Sequence, residues 1–350
     1  MSCSLDREKQ VHKGSRGSRV LVTGATGVIG CRVIPLLIRA GHDVTAVGRT
    51  HEKRLWLRRR GARGIDVDLF DSGSVQQATA GMEVIINLAT AVPAAGPGML
   101  LPWAWREMDR IRRQASANLV SSALAGGTVH RYVQESFAPI YGDGGAAWLC
   151  ESAPVEPARY NRSVLDAEGQ TGRFTKAGGA GVVLRFGAFY GPEDVPTQQL
   201  LDAVARGWYP LPGDPGAFWS WISHEDAAAA VVAAFDVPAG IYNVVEGEPL
   251  TRREQADGIA KLLGSRQPRL MPGWTGRLAG SLGGTLSRSL RISNRKLRRA
   301  SDWTPRYDSL IEGLAHVLTA TPNARAKWGR NHRDRLHGTQ TICSGSETRA

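Results

Sequence analysis

The sequence predicts an α/β fold in which helices cover both faces of a doubly wound parallel sheet, with a smaller mixed lobe toward the C-terminus. Between residues 18 and 187, short apolar runs alternate with longer stretches of helical periodicity, which is the pattern of βαβ units. A glycine-rich turn connects the first apolar run to the first helical stretch. Beyond Pro192 the sequence is richer in Pro, Gly and Trp, which indicates that a second lobe begins there.

The periodicity predicts six strands and three long helices before the second lobe. The strands are expected at residues 20–23, 44–47, 64–67, 84–87, 131–134 and 182–185. The helices are expected at residues 28–40, 105–126 and 160–177. The second lobe is predicted to contain a helix at 226–235, a strand at 240–245 and a helix at 251–263.

These elements divide the chain into two lobes with polar ends. Residues 18–187 and 220–236 are assigned to the domain built on the parallel sheet. Residues 188–219 and 237–320 are assigned to the smaller lobe. Residues 1–17 and 321–350 are charged and lack periodicity, so we expect both ends to be disordered.

Composition and cysteine content favour a protein of the cytoplasm. Of the 350 residues, 42% are apolar and 22% are charged, which is ordinary for a soluble globular enzyme. No run of about 18 apolar residues is present, so we expect no membrane association. The four cysteines are scattered and lack the paired spacing of a zinc site. This argues against a metal centre and for a reducing compartment.

The chain is basic, with a formal net charge of +12. The positive charge is spread over residues 53–63, 106–113 and 288–299 and over the C-terminal tail. Aromatic residues are not interleaved there as stacking platforms for bases would require. We therefore expect solvated basic helix faces and no binding to nucleic acid.

The turn TGATGVIG, residues 23–30, has the spacing of a dinucleotide-binding loop. Gly24 permits the tight turn, Gly27 lets a pyrophosphate approach the backbone, and Gly30 lets the helix pack against the strand. Unpaired N–H groups at the helix N-terminus then favour the phosphates. The sequence therefore predicts a Rossmann fold that binds a dinucleotide through Gly24, Ala25, Thr26, Gly27, Val28, Ile29 and Gly30.

The end of the second predicted strand favours NADP(H) over NAD(H). An NAD-selective site places an acid near this point, about 20 residues after the glycine turn, to bind the ribose hydroxyls. Here Gly48 stands 18 residues beyond Gly30 and is followed by Arg49. A guanidinium without a neighbouring carboxylate can bind a 2′-phosphate. Arg49 is therefore predicted to contact the cofactor.

Further motifs resemble those of the extended short-chain dehydrogenases/reductases, the NAD-dependent epimerase/dehydratase family. They include the glycine turn, Asp68-Leu69, Asn87-Leu88-Ala89-Thr90, the stretch from Leu184 to Pro192, residues 220–226 and residues 292–313. The resemblance covers residues 18–318 and implies an NAD(P)-dependent oxidoreductase or epimerase/dehydratase that forms a homodimer. It adds further predicted cofactor contacts at Asp68, Leu69, Leu88, Ala89, Thr90 and Phe186.

The resemblance also implies a catalytic set from which this chain departs. The family uses a Tyr, a Lys four residues later, and a Ser or Thr after the fifth strand. Tyr160 matches the Tyr and is the expected proton donor, but Val164 stands at the Lys position. Phe137 stands at the Ser position, and Ser136 lies one residue earlier as the second catalytic candidate.

The missing groups could come from elsewhere in the cleft. Without a nearby cation, Tyr160 should titrate near its ordinary pKa of about 10. Candidates for a supporting group are Glu135, Ser136, Tyr141, Arg162 and His224.

The second lobe indicates a substrate that is not a nucleotide sugar. In members of the family that bind sugar nucleotides, an Arg near residues 219–221 grips the diphosphate. Trp219 stands at that position here, and Trp221 follows it. We therefore expect a small, partly apolar metabolite.

Three functions are compatible with these observations. The first is an NADP(H)-linked oxidoreductase or epimerase/dehydratase with a modified proton-transfer set. The second is a non-redox enzyme on the same fold, such as a cyclase, lyase or isomerase. The third is a non-catalytic NADP(H)-binding sensor of the NmrA-like kind. Tyr160 favours the first two, whereas Val164 and Phe137 favour the last two.

Overall fold

The computed structural model describes residues 17–93 and 96–320. Apart from residue 17, the ends predicted to be disordered lie outside the described residues. In chain order the strands are β1 (Arg19–Thr23), β2 (Asp43–Val47), β3 (Arg63–Ile65), β4 (Val84–Asn87), β5 (Arg131–Phe137), β6 (Trp148–Leu149), β7 (Ala180–Phe186), β8 (Ala188–Tyr190), β9 (Trp208–Tyr209), β10 (Phe218–Trp219), β11 (Trp221–Ser223), β12 (Gly240–Val244), β13 (Leu250–Thr251), β14 (Arg269–Leu270) and β15 (Arg291–Ile292).

The helices alternate with these strands. They are α1 (Gly30–Arg39), α2 (His51–Arg59), α3 (Ser72–Thr79), α4 (Arg106–Arg110), α5 (Ser116–Gly126), α6 (Val164–Lys176), α7 (Val195–Ala205), α8 (His224–Ala233), α9 (Arg252–Leu263), α10 (Thr275–Leu278), α11 (Gly280–Leu286), α12 (Arg295–Ala300) and α13 (Leu310–Ala320). A π-helical turn, Ile111–Ala115, joins α4 to α5, and short 3-10 turns lie at Pro97–Leu100, Pro102–Trp105, Ala138–Ile140 and Arg159–Asn161. Within residues 17–93 and 96–320, no helix combines the length and apolar character needed to cross a membrane.

The central sheet confirms the predicted doubly wound α/β fold. Its seven strands are parallel, in the order β12-β7-β5-β4-β1-β2-β3, so the direction of winding reverses between β1 and β4. Val20 and Val22 of β1 pack on the side of α1 and α8, whereas Leu21 packs on the side of α3, α5 and α6. Successive residues of a strand point to opposite faces, so a strand buried on both faces is apolar throughout.

The position of β12 corrects the predicted domain division. The sequence assigned residues 237–320 to the smaller lobe, but β12 pairs with β7 from Gly240↔Val182 to Val244↔Phe186 and forms one edge of the central sheet. Tyr242 and Val244 are buried in the core that contains α1 and α8. The chain thus leaves the sheet after β7 and returns to it, a long-range pairing that a local pattern does not specify.

A second buried cluster lies mainly in the C-terminal part of the chain and includes Ala138 and Tyr141, which follow β5. Leu200, Leu201, Tyr209, Ile259 and Leu314 belong to this cluster, contributed by α7, β9, α9 and α13. The two-stranded pairs β10–β13 and β9–β14 lie in the same part of the chain. The smaller lobe follows the carboxyl end of β7, where a parallel sheet places its ligand-binding crevice.

Candidate cofactor-binding and active site

The glycine turn has the backbone geometry that the sequence predicted. Gly24 has a φ of +65°, and a Cβ added to it would lie 2.2 Å from the carbonyl oxygen of Leu88. A Cβ on Gly30, the first residue of α1, would lie 2.2 Å from the carbonyl oxygen of Gly24. The two glycines therefore allow β1, β4 and α1 to meet closely around the turn.

The surface of this turn fits a dinucleotide pyrophosphate. Ala25 and Ile29 are buried in the core, whereas Gly27 and Val28 are exposed and Thr26 is half-buried. The buried residues fix the turn, and the exposed backbone lies directly before the N-terminus of α1, where anions bind favourably. Leu88 and Ala89 are buried next to the turn, and Thr90 continues to the surface.

A buried polar network aligns the strand ends beside this turn. Thr23 donates to Asn87 Oδ1 over 2.5 Å, and the Asn87 amide donates to Gln134 Oε1 over 2.9 Å. Tyr132 also donates to Gln134 Oε1, over 2.8 Å. Hydrogen bonds thus join the carboxyl ends of β1 and β4 to the middle of β5, which fixes the floor of the crevice.

A basic surface lies at the end of β2. Gly48 is buried there, and Arg49 is exposed. Arg54, which the sequence analysis did not consider, donates to the Gly48 carbonyl over 3.0 Å and to Asp66 over 2.8 Å. Gly48 precedes the N-cap of α2 by two residues, so Arg54, in the first turns of α2, lies close to this strand end. The short separation between Gly48 and Arg54 in the sequence could have indicated this contact.

The remaining predicted cofactor contacts lie at the carboxyl ends of β3 and β7. Asp68 is exposed and accepts a hydrogen bond from the Phe70 N–H, while Leu69 is half-buried. Phe186 is buried, with its ring 5.4 Å from that of Phe189. The Phe186 side chain therefore belongs to the core, which leaves its backbone as the part available to a ligand.

Tyr160 lies in a 3-10 turn before α6 rather than within the predicted helix. Its ring is 4.7 Å from that of Trp105. Burial raises the pKa of Tyr160, while hydrogen bonding to Thr285 and the charges of Arg112 and Arg288 oppose this rise. The phenol therefore stays protonated at neutral pH and has a proton to donate.

Ser136 has a structural environment that differs from the predicted catalytic one. It is fully buried, and its hydroxyl donates to Glu168 over 2.5 Å. Arg185 donates to both oxygens of Glu168, over 2.8 and 2.7 Å, and to the Tyr141 hydroxyl over 2.9 Å. Tyr141 in turn donates to Asn243. Ser136 is thus part of an ion-pair network that joins β5, α6, β7 and β12.

The other residues considered as supporting groups for Tyr160 lie in different environments in the structure. Val164 is fully buried at the start of α6, and Arg162 is exposed. His224 is buried at the start of α8, and burial lowers its pKa to about 3, so the imidazole is neutral at physiological pH. Glu135 lies beside Arg112, with its Oε1 3.5 Å from Arg112 Nη2.

Arg112 is a site residue that sequence reasoning missed. It lies in the π-helical turn with 5% of its side chain exposed, and its charge acts on Tyr160. A signal was present, since Arg112 falls four residues after the buried Met108 and three before the buried Ala115. A charged residue on such an apolar stripe indicates a buried role.

Comparison with known proteins identifies the family. A model of the NAD dependent epimerase/dehydratase family matches residues 20–244. The chain belongs to this family. A 3-diazoavenalumate denitrifying reductase from a Streptomyces species is 30% identical over 307 residues, which cover 85% of this chain and 99% of that protein. A dTDP-4-dehydrorhamnose reductase from Streptomyces griseus is 27% identical, covering 73% of this chain and 79% of that protein.

Solved structures in complex with NAD share the fold. MoeE5 in complex with UDP-glucose and NAD has a TM-score of 0.68 and 25% identity, covering 89% of this chain and 98% of that chain. The UDP-glucose 4-epimerase of Thermus thermophilus in complex with NAD has the same TM-score and identity, covering 86% and 98%. The chain is therefore an enzyme of the NAD(P)-dependent oxidoreductase or epimerase/dehydratase class.

Proposed function

We propose that this epimerase/dehydratase family member is an NADP(H)-dependent reductase of a small, partly apolar metabolite. The observation that carries the proposal is the protonated phenol of Tyr160, half-buried and packed against Trp105. A relative that is similar over almost its whole length is a reductase, which supports a redox function over a cyclase, a lyase or a non-catalytic sensor.

The preference for NADP(H) rests on the charges at the end of β2. Arg49 is exposed beside Gly48, and Arg54 contacts the Gly48 carbonyl. Asp66, the nearby carboxylate, is held by Arg54 over 2.8 Å. A 2′-phosphate would therefore meet guanidinium groups and little repulsion.

The substrate is expected to be partly apolar and to lack a nucleotide diphosphate. Trp219 is buried in the core of the smaller lobe, with the Arg252 guanidinium 5.7 Å from its ring. Exposed apolar side chains lie in the segment that carries Trp105, at Leu100, Leu101 and Trp103. This segment would offer an apolar rim to a substrate that approaches Tyr160.

Tyr160 would serve as the proton donor in carbonyl reduction. A bound nicotinamide cofactor would supply the hydride for the carbonyl carbon. The Tyr160 phenol donates its proton to the carbonyl oxygen and recovers a proton from solvent. Oxidation of an alcohol would need the phenolate instead, which the raised pKa of Tyr160 disfavours. At neutral pH Tyr160 is therefore in the protonation state that carbonyl reduction requires.

A second candidate reaction is the reductive removal of nitrogen from a diazo-substituted aromatic compound. The name of the reductase that is 30% identical points to this chemistry. Hydride transfer to an arenediazonium carbon forms a C–H bond while the C–N bond breaks and its electrons leave with N₂. This reaction consumes no proton, so Val164 and Phe137 at the Lys and Ser positions would not impair it.

One experiment distinguishes these candidates. NADPH oxidation is followed at about 340 nm with a panel of aromatic ketones and aldehydes and with a hydroxylated arenediazonium, using the native chain and Tyr160→Phe. Carbonyl reduction should fall by about 10²-fold or more in the variant, whereas denitrification should continue. Tight NADPH binding without turnover of any panel member would contradict the reductase proposal and favour the sensor.

We also infer a homodimer located in the cytoplasm. The inference rests on the family resemblance of the sequence. Light scattering of the purified chain measures the mass directly, and a monomer at micromolar concentration would exclude the dimer.

A further inference from the structure

A groove runs along the outer edge of the central sheet, on the side of β12. Its volume is about 670 Å³, and its walls come from β12, from α12 and from the segment that includes β6. Three strands separate β12 from β1, which carries the glycine turn. Pro238, Ala239 and Tyr242 place the groove beside the amino-terminal half of β12. A dinucleotide binds instead at the carboxyl ends of the strands, so the groove is separate from the cofactor crevice.

Side chains already occupy the outer hydrogen-bonding groups of β12 in this groove. Lys296 Nζ donates to the Ile241 carbonyl oxygen over 2.8 Å. The Asn243 N–H donates to Glu151 Oε1 over 2.9 Å. An added peptide strand would pair with these same backbone groups. The groove is therefore closed to a further strand, and its open volume suits a small ligand.

Three exposed cations of α12 line the groove, namely Arg295, Lys296 and Arg299. Arg295 and Arg299 are four residues apart and therefore adjacent on the helix surface, where like charges repel. Within residues 17–93 and 96–320, no carboxylate lies within 4.0 Å of any of the three. By contrast, Arg253 on α9 is 3.2 Å from Asp257 at the same helical spacing. The positive charge of the groove is thus uncompensated.

Aromatic rings border these cations. Trp148 lines the groove with 40% of its surface exposed, and the Arg295 guanidinium carbon lies 5.8 Å from its ring centre. Lys296 Nζ lies 4.7 Å from the ring centre of Tyr242. Cations are attracted to ring faces at such distances, which keeps charge and apolar surface side by side. We call Trp148, Tyr242, Arg295, Lys296 and Arg299 the basic groove.

We propose that the basic groove is a second ligand site, which binds a small planar organic anion carrying at least two carboxylate or phosphate groups. The volume lies within the range of about 300–1,000 Å³ that is typical of small-molecule sites. The uncompensated cations favour a multiply charged anion, and the exposed face of Trp148 favours a flat apolar body. The Glu151 carboxylate opposes an anion, but its hydrogen bond to Asn243 directs one oxygen toward β12. The site does not depend on the proposed NADP(H)-dependent function.

The test compares Arg299→Gln with Arg298→Gln in the full chain. Both arginines are exposed in the last turn of α12, and each variant removes one charge, but Arg299 lines the groove and Arg298 lies outside its walls. Trp148→Ala tests the aromatic wall, and Trp208→Ala, at an exposed position in β9, is its control. Circular dichroism melting establishes that each variant is folded, and the exposed arginine pair tests the site even if Trp148→Ala does not fold.

Calorimetric titration uses two probes, benzene-1,3,5-tricarboxylate, which is planar, and inorganic tripolyphosphate, which has charge but no ring. We expect Arg299→Gln to raise the dissociation constant for the tricarboxylate about tenfold, as loss of one charge-assisted contact would. Arg298→Gln should stay within about twofold of native. Trp148→Ala should raise the dissociation constant for the tricarboxylate by about fivefold and affect tripolyphosphate less. Trp208→Ala should bind both probes normally, and every variant should bind NADPH like the native chain.

Three results would overturn the inference. Equal weakening by Arg298→Gln and Arg299→Gln would show a diffuse positive surface instead of a site. Failure of the native chain to bind the tricarboxylate at millimolar concentration would exclude a site for planar anions. Weaker NADPH binding in Arg299→Gln, but not in Arg298→Gln, would make the groove part of the cofactor crevice. None of these results bears on whether the chain is an NADP(H)-dependent reductase, so the two proposals fail separately.

Discussion

Ser136 donates a hydrogen bond of 2.5 Å to Glu168, whose carboxylate is paired in turn with Arg185. This contact places Ser136 in the buried framework of the sheet. Loss of the hydroxyl should therefore reduce stability and leave turnover nearly unchanged.

We predict that Ser136→Ala lowers the free energy of unfolding by about 1.5–3 kcal/mol, the range for a hydrogen bond to a charged group. Urea denaturation measures the change, and Ser72→Ala, at an exposed position in α3, is the control. A native unfolding curve combined with a large loss of kcat would instead restore Ser136 to the catalytic set.

Gly24 combines a positive φ with a close approach to Leu88, and each effect has its own consequence. We predict that Gly24→Ala abolishes cofactor binding and destabilises the fold, since the new methyl group would lie 2.2 Å from the Leu88 carbonyl oxygen. Gly81→Ala isolates the strain of the positive φ, +70°, because no described atom lies within 4 Å of the added carbon.

Thermal melts and NADPH titrations measure both glycine variants. Gly81→Ala should lose only about 1–2 kcal/mol of stability and bind NADPH normally. Equal behaviour of the two variants would show that the contact between the glycine turn and β4 is unimportant.

The raised pKa of Tyr160 predicts the pH dependence of carbonyl reduction. The reaction uses the protonated phenol, which is the dominant form below the folded-state pKa. Because burial raises that pKa above its ordinary value of 10.0, the Tyr160 contribution to kcat should stay constant through neutral pH and fall only above about pH 10. A pH–rate profile of kcat checks this. An alkaline fall centred near pH 7 that disappears in Tyr160→Phe would contradict a raised pKa.

Arg49 is predicted to contribute to cofactor choice through charge. Arg49→Glu should raise the dissociation constant for NADPH about tenfold or more, since a charge-assisted contact to the 2′-phosphate contributes about 1.5–3 kcal/mol. The dissociation constant for NADH should change little. Arg39→Glu, at an exposed position in the last turn of α1, controls for net charge. Equal weakening of NADPH binding in both variants would mean that Arg49 acts only through the net charge of the protein and not through a direct contact with the 2′-phosphate.

Val164→Lys is expected to destabilise the chain rather than supply the missing ammonium. Val164 is fully buried at the start of α6, and the interior near Tyr160 already contains the charge of Arg112. Burying a second, unpaired cation is unfavourable. Denaturation and carbonyl reductase assays test this together, and a stable variant with increased reductase activity would show that only the ammonium is missing.

The fold and the glycine turn were predictable because their signals are local. The strand at 20–23, the turn at 23–30 and the helix after it form one continuous pattern, and the structure places β1, the turn and α1 there. The return of β12 to the sheet is a pairing with residues about 58 positions earlier, Gly240 with Val182, and such a pairing leaves no local signature.

The site around Tyr160 was only partly predictable for a related reason. Thr285 and Arg288 approach the phenol from a segment more than a hundred residues away, and the π-helical turn interrupts a sequence that has ordinary helical periodicity. Ser136 is of a residue type that the family uses in catalysis. The direction of its side chain, however, depends on how β5 packs against α6 and β7. The sequence shows which residue types occur at the spacing of a catalytic motif. Tertiary packing determines which of their side chains face the crevice.

The central claim, an NADP(H)-dependent enzyme, is tested most directly by calorimetric titration of the native chain with NADPH and with NADH. We predict that both bind and that the dissociation constant for NADPH is lower by about tenfold or more. Tighter binding of NADH, or binding of neither nucleotide, would contradict the account.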